Sequence, residues 1–195
     1  MRPGVTLYFI RHGETDWNAE QRYQGQHDIP LNDRGREQAR RNGEALRGVL
    51  TDVLRFDYVA SPLERTRETM RIVREALGLT MDGVRFDDRL REMSYGHWEG
   101  QLASELPRLD PEGVAARAAD AWNWQPRGGE SYEDLAARVG DWLRSVDRDT
   151  IVASHGGVSR VLRHLAAGVD RREVPRLAVP QDRIIVIRDG RLDWL

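Results

Sequence analysis

The chain contains no cysteine and no lysine. Without cysteine there are no disulfides, no thiolate zinc sites and no cysteine nucleophile for phosphate hydrolysis. Without lysine, a P-loop ATPase, a protein kinase and a Schiff-base enzyme each lack a required side chain. All thirty basic residues are arginine, which reads as compositional bias rather than function. No apolar run is long enough to span a bilayer and no signal region precedes the first strand, so the expected compartment is the cytoplasm. An excess of one charge is missing too. The net charge is -2 with both signs interspersed, which leaves no basic footprint for nucleic acid and no polybasic patch for a membrane. A small-molecule partner is expected, and a homodimer is left open. At 195 residues, 39% hydrophobic and 32% charged, the chain suits one domain spanning residues 1–195 with a sizeable core.

What is present is an alternation of short apolar runs and amphipathic segments. Val5 to Ile10 is β-branched and aromatic, as a buried parallel strand should be. Phe56 to Ala60, Thr150 to Ala153 and the shorter Val84-Arg85-Phe86 read similarly. Glu14 to Glu20 reads as a short helix. Asn32 is the expected N-cap of a helix over about 34–50. Ser61-Pro62 supplies a cap and a first-turn proline for a helix to about Leu77. Ser131-Tyr132-Glu133-Asp134 has capping-box spacing for a helix to about Val146, and another runs from Val158 to about Ala167. Asp189-Gly190, between Arg183 to Arg188 and Arg191 to Leu195, is a hairpin signal. The pattern predicts an α/β three-layer sandwich with a mostly parallel sheet and one antiparallel edge strand. Residues 98–129, interrupted by Pro107, Pro111 and Pro126, read as an inserted cap over the site.

Residues able to do chemistry gather at strand ends, where open α/β sheets bind ligands. Arg11-His12-Gly13 follows the first strand, and a fixed cation beside an imidazole, on a backbone that can turn sharply, suits an anion and a nucleophile. The same order of strand, histidine, glycine and helix returns at Ser154-His155-Gly156-Gly157. Spacing alone keeps other readings open. Arg65 is placed to pair with Glu68, Glu92 with Arg89 or Arg91, and His155 is placed to be a core histidine. His27, His97 and His164 read as polar surface residues, and Trp98, Trp122 and Trp124 as packing within the cap.

Taken jointly and in order, several motifs resemble the histidine phosphatase superfamily, or phosphoglycerate mutase-like family, across most of the chain. They are Arg11-His12-Gly13-Glu14-Thr15 with Asn18, Gln24-Gly25 to Pro30-Leu31, Ser61-Pro62-Leu63 with Arg65, Glu92 within Leu90 to Gly100, and Ser154-His155-Gly156-Gly157. The resemblance implies that His12 attacks phosphorus to form a phosphohistidine. It implies equally that Glu92 is the general acid, protonated as the alkoxide leaves, which then takes a proton from water. Guanidinium forks match phosphoryl oxygens, so Arg11 and Arg65 are the expected clamp. His155, Asn18 and backbone N–H groups near Gly13 are expected further donors, and Gln24, Gly25, Tyr95 and Gly156 further substrate contacts. Only neutral imidazole has a free lone pair, and the neighbouring arginines and His155 should disfavour charge on His12. Neither metal nor cofactor is expected, and the partner becomes a small phosphorylated metabolite.

The family contains phosphatases and mutases. His97-Trp98-Glu99-Gly100-Gln101 replaces the asparagine-lysine segment of mutases. Their paired cap arginines have no match between 101 and 127, where Arg108, Arg117 and Arg127 stand singly. The expectation is therefore the phosphatase branch. A mutase dependent on 2,3-bisphosphoglycerate is the alternative, and a non-catalytic phosphate-binding module is a second. A metal hydrolase ranks lower, because no His-x-x-x-His ligand pair exists. Sugar phosphates, phosphoglycerates, a phosphorylated amino acid and a ribazole phosphate all remain open as substrates.

Overall fold

The structure, a computed structural model, describes residues 1–195. Its strands are β1 (Thr6–Arg11), β2 (Asp57–Ala60), β3 (Arg85–Phe86), β4 (Thr150–Ser154), β5 (Ile184–Arg188) and β6 (Arg191–Trp194). Its helices are α1 (Asp16–Ala19), α2 (Asp33–Val49), α3 (Glu64–Ala76), α4 (Leu106–Leu109), α5 (Pro111–Ala119), α6 (Tyr132–Ser145) and α7 (Gly156–Ala167). One sheet runs in the order β3-β2-β4-β1-β5-β6. β3, β2, β4 and β1 are mutually parallel, β5 runs antiparallel to β1, and β6 pairs antiparallel with β5 at the edge. Left-handed φ values at Asp189 (47°) and Gly190 (77°) close the β5–β6 hairpin, as an Asp-Gly turn allows.

Side-chain alternation along the strands builds the three layers. Leu7, Phe9, Val152 and Ile185 share a core with α6 and α7 residues such as Leu135, Val139, Val158 and Val161. Ile10, Ala60, Ile151 and Ile184 face Leu46 of α2 and Met70 and Val73 of α3. The inner strands β1, β2, β4 and β5 thus bury both faces, unlike the edge strands β3 and β6, and all five residues of β4 are buried, which is the condition that favours near-continuous apolar runs.

Two helix starts follow the sequence. Asn32 accepts from Gly35 N, and Ser131 and Asp134 form the reciprocal capping box of α6. The start of α3 does not. Its N-cap is Leu63, without a side-chain bond, because Ser61 is used elsewhere: its hydroxyl lies 2.8 Å from His155 Nε2. The short helix after β1 is also trimmed to Asp16–Ala19, since Thr15 forms a capping box with Asn18.

The register of the central strands positions the site. Ile10 pairs with Ala153 and Arg11 with Ser154, while Ala60 also pairs with Ala153. His12, Ser61 and His155 therefore emerge side by side from three neighbouring strands. His12 N bonds Ser154 O at 2.9 Å and Ser61 N bonds Ala153 O at 3.0 Å.

The start of α2 is pressed against this loop. A Cβ on Gly35 would lie 2.1 Å from Glu14 O, and one on Gly13 would lie 2.1 Å from Gly35 O, both backbone atoms that cannot swing aside. Gly48, in the same helix, has nothing within 4 Å. Gly35→Ala should therefore cost about 2–3 kcal/mol of stability, whereas Gly48→Ala should be neutral or stabilising by up to about 1 kcal/mol. Urea unfolding of the two variants checks the contrast, and equal effects would refute the close approach.

Candidate active site

A pocket of about 280 Å³ opens at the carboxyl ends of β1 and β4. Of the residues expected there, Arg11, His12, Asn18, Gln24, Gly25, Arg65, Glu92, Tyr95 and Gly156 line it. Gly13 and His155 do not. The Gly13 N–H is committed to Thr69 Oγ1 at 3.1 Å, so it is no phosphate donor, and its role is the close packing against Gly35. His155 lies against His12 instead, with ring centroids 5.2 Å apart.

His12 is buried and its Nδ1 lies 2.7 Å from Gly13 O. A carbonyl only accepts, so Nδ1 carries the hydrogen and Nε2 keeps the lone pair. Burial, then Arg65 and Arg11, hold the imidazole well below its ordinary pKa, and the Gly13 bond opposes this only in part. His155 is likewise held well below, by burial first and then Arg65. Both rings are neutral at neutral pH.

Two guanidiniums are fixed beside them. Arg65 donates to His27 O at 2.6 Å and Gly25 O at 2.8 Å, and not to Glu68, which pairs with Arg36. Arg11 donates to Val179 O at 2.6 Å. Burial lowers Arg11 to about 10, with Glu92 opposing, so it stays cationic. Five buried side-chain polar atoms lack a partner in the protein, and four are Arg11 Nε, Arg65 Nε, His155 Nδ1 and Gln24 Oε1. Unpaired buried donors of this kind are costly unless a ligand accepts from them, and two of the three nitrogens belong to fixed cations. The site is built for an anion.

Glu92 pairs with neither Arg89 nor Arg91, which bind Asp87 and Asp88. Its Oε1 accepts from Met93 N at 2.9 Å and Gly157 N at 3.0 Å, leaving Oε2 with only a 3.2 Å approach from Gly157 N. A Cβ on Gly156 would sit 3.6 Å from Arg11 Nε and 3.7 Å from Glu92 Oε2, so glycine keeps the space between cation and carboxylate open. Asn18 receives Thr15 N and Gln181 Nε2 on its Oδ1, which leaves its Nδ2 as the free donor.

Several residues escaped the sequence reading. Arg138 of α6 donates to the carbonyls of Arg89, Arg91 and Glu92 and to Glu130, fixing the loop that carries Glu92. Glu99 accepts from Gln26 N and Tyr95 N, tying the 24–27 loop to Tyr95. Arg160 lines the pocket one helical turn after Gly156, and that i,i+4 spacing was the available signal. Burial drives the Tyr95 phenol well above its usual range, so it remains a neutral hydroxyl. No group of three or more His, Cys, Asp or Glu side chains is arranged to hold a metal ion, and no helix is long and apolar enough to cross a membrane.

A family model described as "Histidine phosphatase superfamily (branch 1)" matches residues 7–193. The chain is similar to the uncharacterized phosphatase PhoE of Bacillus subtilis, at 32% identity over 85% of this chain and 79% of that protein. It is 37% identical to the probable phosphoglycerate mutase GpmB of Salmonella paratyphi B over 69% of this chain, but this match spans only 60% of that protein. Among solved structures, a mycobacterial glucosyl-3-phosphoglycerate phosphatase in complex with VO3 superimposes with a TM-score of 0.79 at 32% identity, covering 97% of each chain.

The two neutral imidazoles make stability depend on pH. Their folded-state values lie below the ordinary 6.5, so the unfolded chain binds more protons once pH falls through that value. The stability they contribute is complete above pH 6.5 and is lost as pH falls, by up to about 1.4 kcal/mol per pH unit per histidine. Imidazole NMR should show His12 and His155 still neutral at about pH 5.5, and ordinary titration of His12 would refute its burial beside two cations.

Proposed function

This chain belongs to branch 1 of the histidine phosphatase superfamily, and from that premise we propose that it hydrolyses small phosphomonoesters through a phosphohistidine on His12. The observation that carries the reading is the His12 imidazole itself, neutral, with its hydrogen on Nδ1 toward Gly13 O and its Nε2 lone pair beside the Arg11 and Arg65 cations. The solved relative that holds VO3 is a phosphatase by name, and a clamp for an anion of that kind is what the unpaired Arg11 and Arg65 nitrogens, on residues that line the pocket, supply.

In the first step Nε2 attacks phosphorus as the phosphorus–oxygen ester bond breaks. The departing oxygen takes a proton from Glu92 Oε2, the carboxyl oxygen left less engaged by the Gly157 and Met93 amides. Positive charge grows on the phosphorylated ring, and Gly13 O, accepting from Nδ1, stabilises it. In the second step water attacks phosphorus, Glu92 takes its proton, and the nitrogen–phosphorus bond breaks to return neutral His12 and inorganic phosphate. Charge on the phosphoryl oxygens is met throughout by the guanidiniums, the setting in which fixed charges act most strongly.

The GpmB match favours a second reading, a phosphoglycerate mutase that keeps the phosphoryl group from water. Phosphate release from a panel of phosphomonoesters should persist in chelator and fall about 10⁴-fold or more in His12→Ala. Interconversion of phosphoglycerates with 2,3-bisphosphoglycerate present and no phosphate release would overturn the phosphatase reading. Gly157→Ala tests Glu92 separately. The added Cβ would lie 2.5 Å from Glu92 Oε1 and displace the carboxylate, so kcat should fall by about 10²-fold while His12 phosphorylation by a substrate with a good leaving group persists.

A further inference from the structure

A second and larger cavity, of about 1090 Å³, adjoins the pocket, and Tyr23 and Ala103 line both. The pocket's 280 Å³ is below the range of small-molecule sites, roughly 300–1,000 Å³. It suits a phosphoryl group and the atoms next to it. Tyr23 and Ala103, common to both linings, offer the remainder of a larger ester a way into the neighbouring cavity.

That cavity has an apolar wall from the cap, including Leu106 and Val114, and four guanidiniums, Arg117 of α5 with Arg171, Arg172 and Arg176 from the segment after α7. None of the four makes an ion pair or a side-chain hydrogen bond within the protein, whereas Arg36, Arg55 and Arg138 are paired with Glu68, Asp149 and Glu130. The two carboxylates on the cavity are engaged otherwise. Asp120 receives the backbone and side-chain amides of Asn123, and Asp170 receives the Arg172 N–H. The indole N–H groups of Trp98 and Trp122 are bonded to Asp110 and Glu133, so they offer the cavity no donor. Four guanidiniums against two carboxylates leave the cavity with an excess of positive charge.

Resting on the phosphatase reading, we propose that this cavity seats the substrate's leaving group, and that the leaving group has an apolar body ending in an anion, a carboxylate or second phosphate, gripped by Arg117, Arg171, Arg172 and Arg176. An anionic terminus would offset the charge of the four guanidiniums that Asp120 and Asp170 leave unbalanced, while forming charge-assisted hydrogen bonds.

The test uses ω-carboxyalkyl phosphates and the matching ω-hydroxyalkyl phosphates of stepwise increasing chain length. The wild-type enzyme should prefer the carboxylate member in kcat/KM from the length that reaches the arginines, by roughly 10–100-fold. The preference should collapse toward unity in Arg117→Gln/Arg176→Gln and survive in Arg127→Gln, which removes one charge from the same cap segment outside the cavity. No preference at any length, or a preference that survives the paired substitution, overturns the proposal. If no ester releases phosphate, the phosphatase reading has failed instead. Calorimetric binding of the same pairs to His12→Ala then decides the subsite: tighter binding of the carboxylate member, lost with the two arginines, upholds it, and equal binding overturns it.

Discussion

The in-register parallel pairing of β1 with β4 is the constraint on which the rest of the site depends. Arg11 opposite Ser154 brings two sequence-distant histidines out of the sheet as neighbours, and Ala60 opposite Ala153 adds Ser61 to the row. A slip of one residue would turn every side chain of a strand to the other face. Because both faces of these strands are buried, such a slip would put residues sized for the α6–α7 layer against α2 and α3. The packing of Leu7 and Phe9 on one side and Ile10 on the other therefore fixes where His12 stands. The geometry of the proposed site is a consequence of core register.

That geometry holds buried groups in a state the protein alone does not satisfy. Arg11 and Arg65 are desolvated cations whose hydrogen bonds go to carbonyls, not carboxylates. Glu92 is the acidic group that opposes the loss of charge on both. The two imidazoles answer the same field by remaining neutral. A phosphoryl dianion would accept from the unpaired arginine nitrogens and balance the guanidiniums, so the polar groups that the protein leaves without partners are what favour such a ligand. The surrounding framework keeps the groups from collapsing onto one another: Arg138 grips the backbone leading into Glu92 and the Glu92 carbonyl itself, and Glu99 grips the 24–27 loop.

Local signals were legible in the sequence wherever the physics was local. The apolar runs, the Asn32 and Ser131 caps and the Asp-Gly hairpin each announce themselves within a few residues, and the structure forms all of them. Nine of the eleven expected site residues line one pocket. The failures share a cause. Ser61 reads as an N-cap until β2 is placed beside β4, where His155 competes for its hydroxyl. Gly13 reads as a phosphate donor until α3 brings Thr69 to its N–H. Arg138 is one arginine among thirty, and nothing near it in sequence reveals that it reaches the backbone of residues 89–92.

The cap illustrates the same limit from the other side. Between 101 and 127 the arginines stand singly in sequence, and a search of that segment alone finds no paired cations. The fold supplies the missing partners from beyond α7, where Arg171, Arg172 and Arg176 meet Arg117 across one cavity. The two regions differ in what holds them. The proposed phosphoryl pocket is made by strand ends and buried side chains, so a change there disturbs the core. The cavity wall is made by α4, α5 and an exposed turn, whose guanidiniums are tied to nothing else in the protein. Substitution can reshape the cavity without touching the register that places His12, so a change of leaving group asks far less of this fold than a change of chemistry.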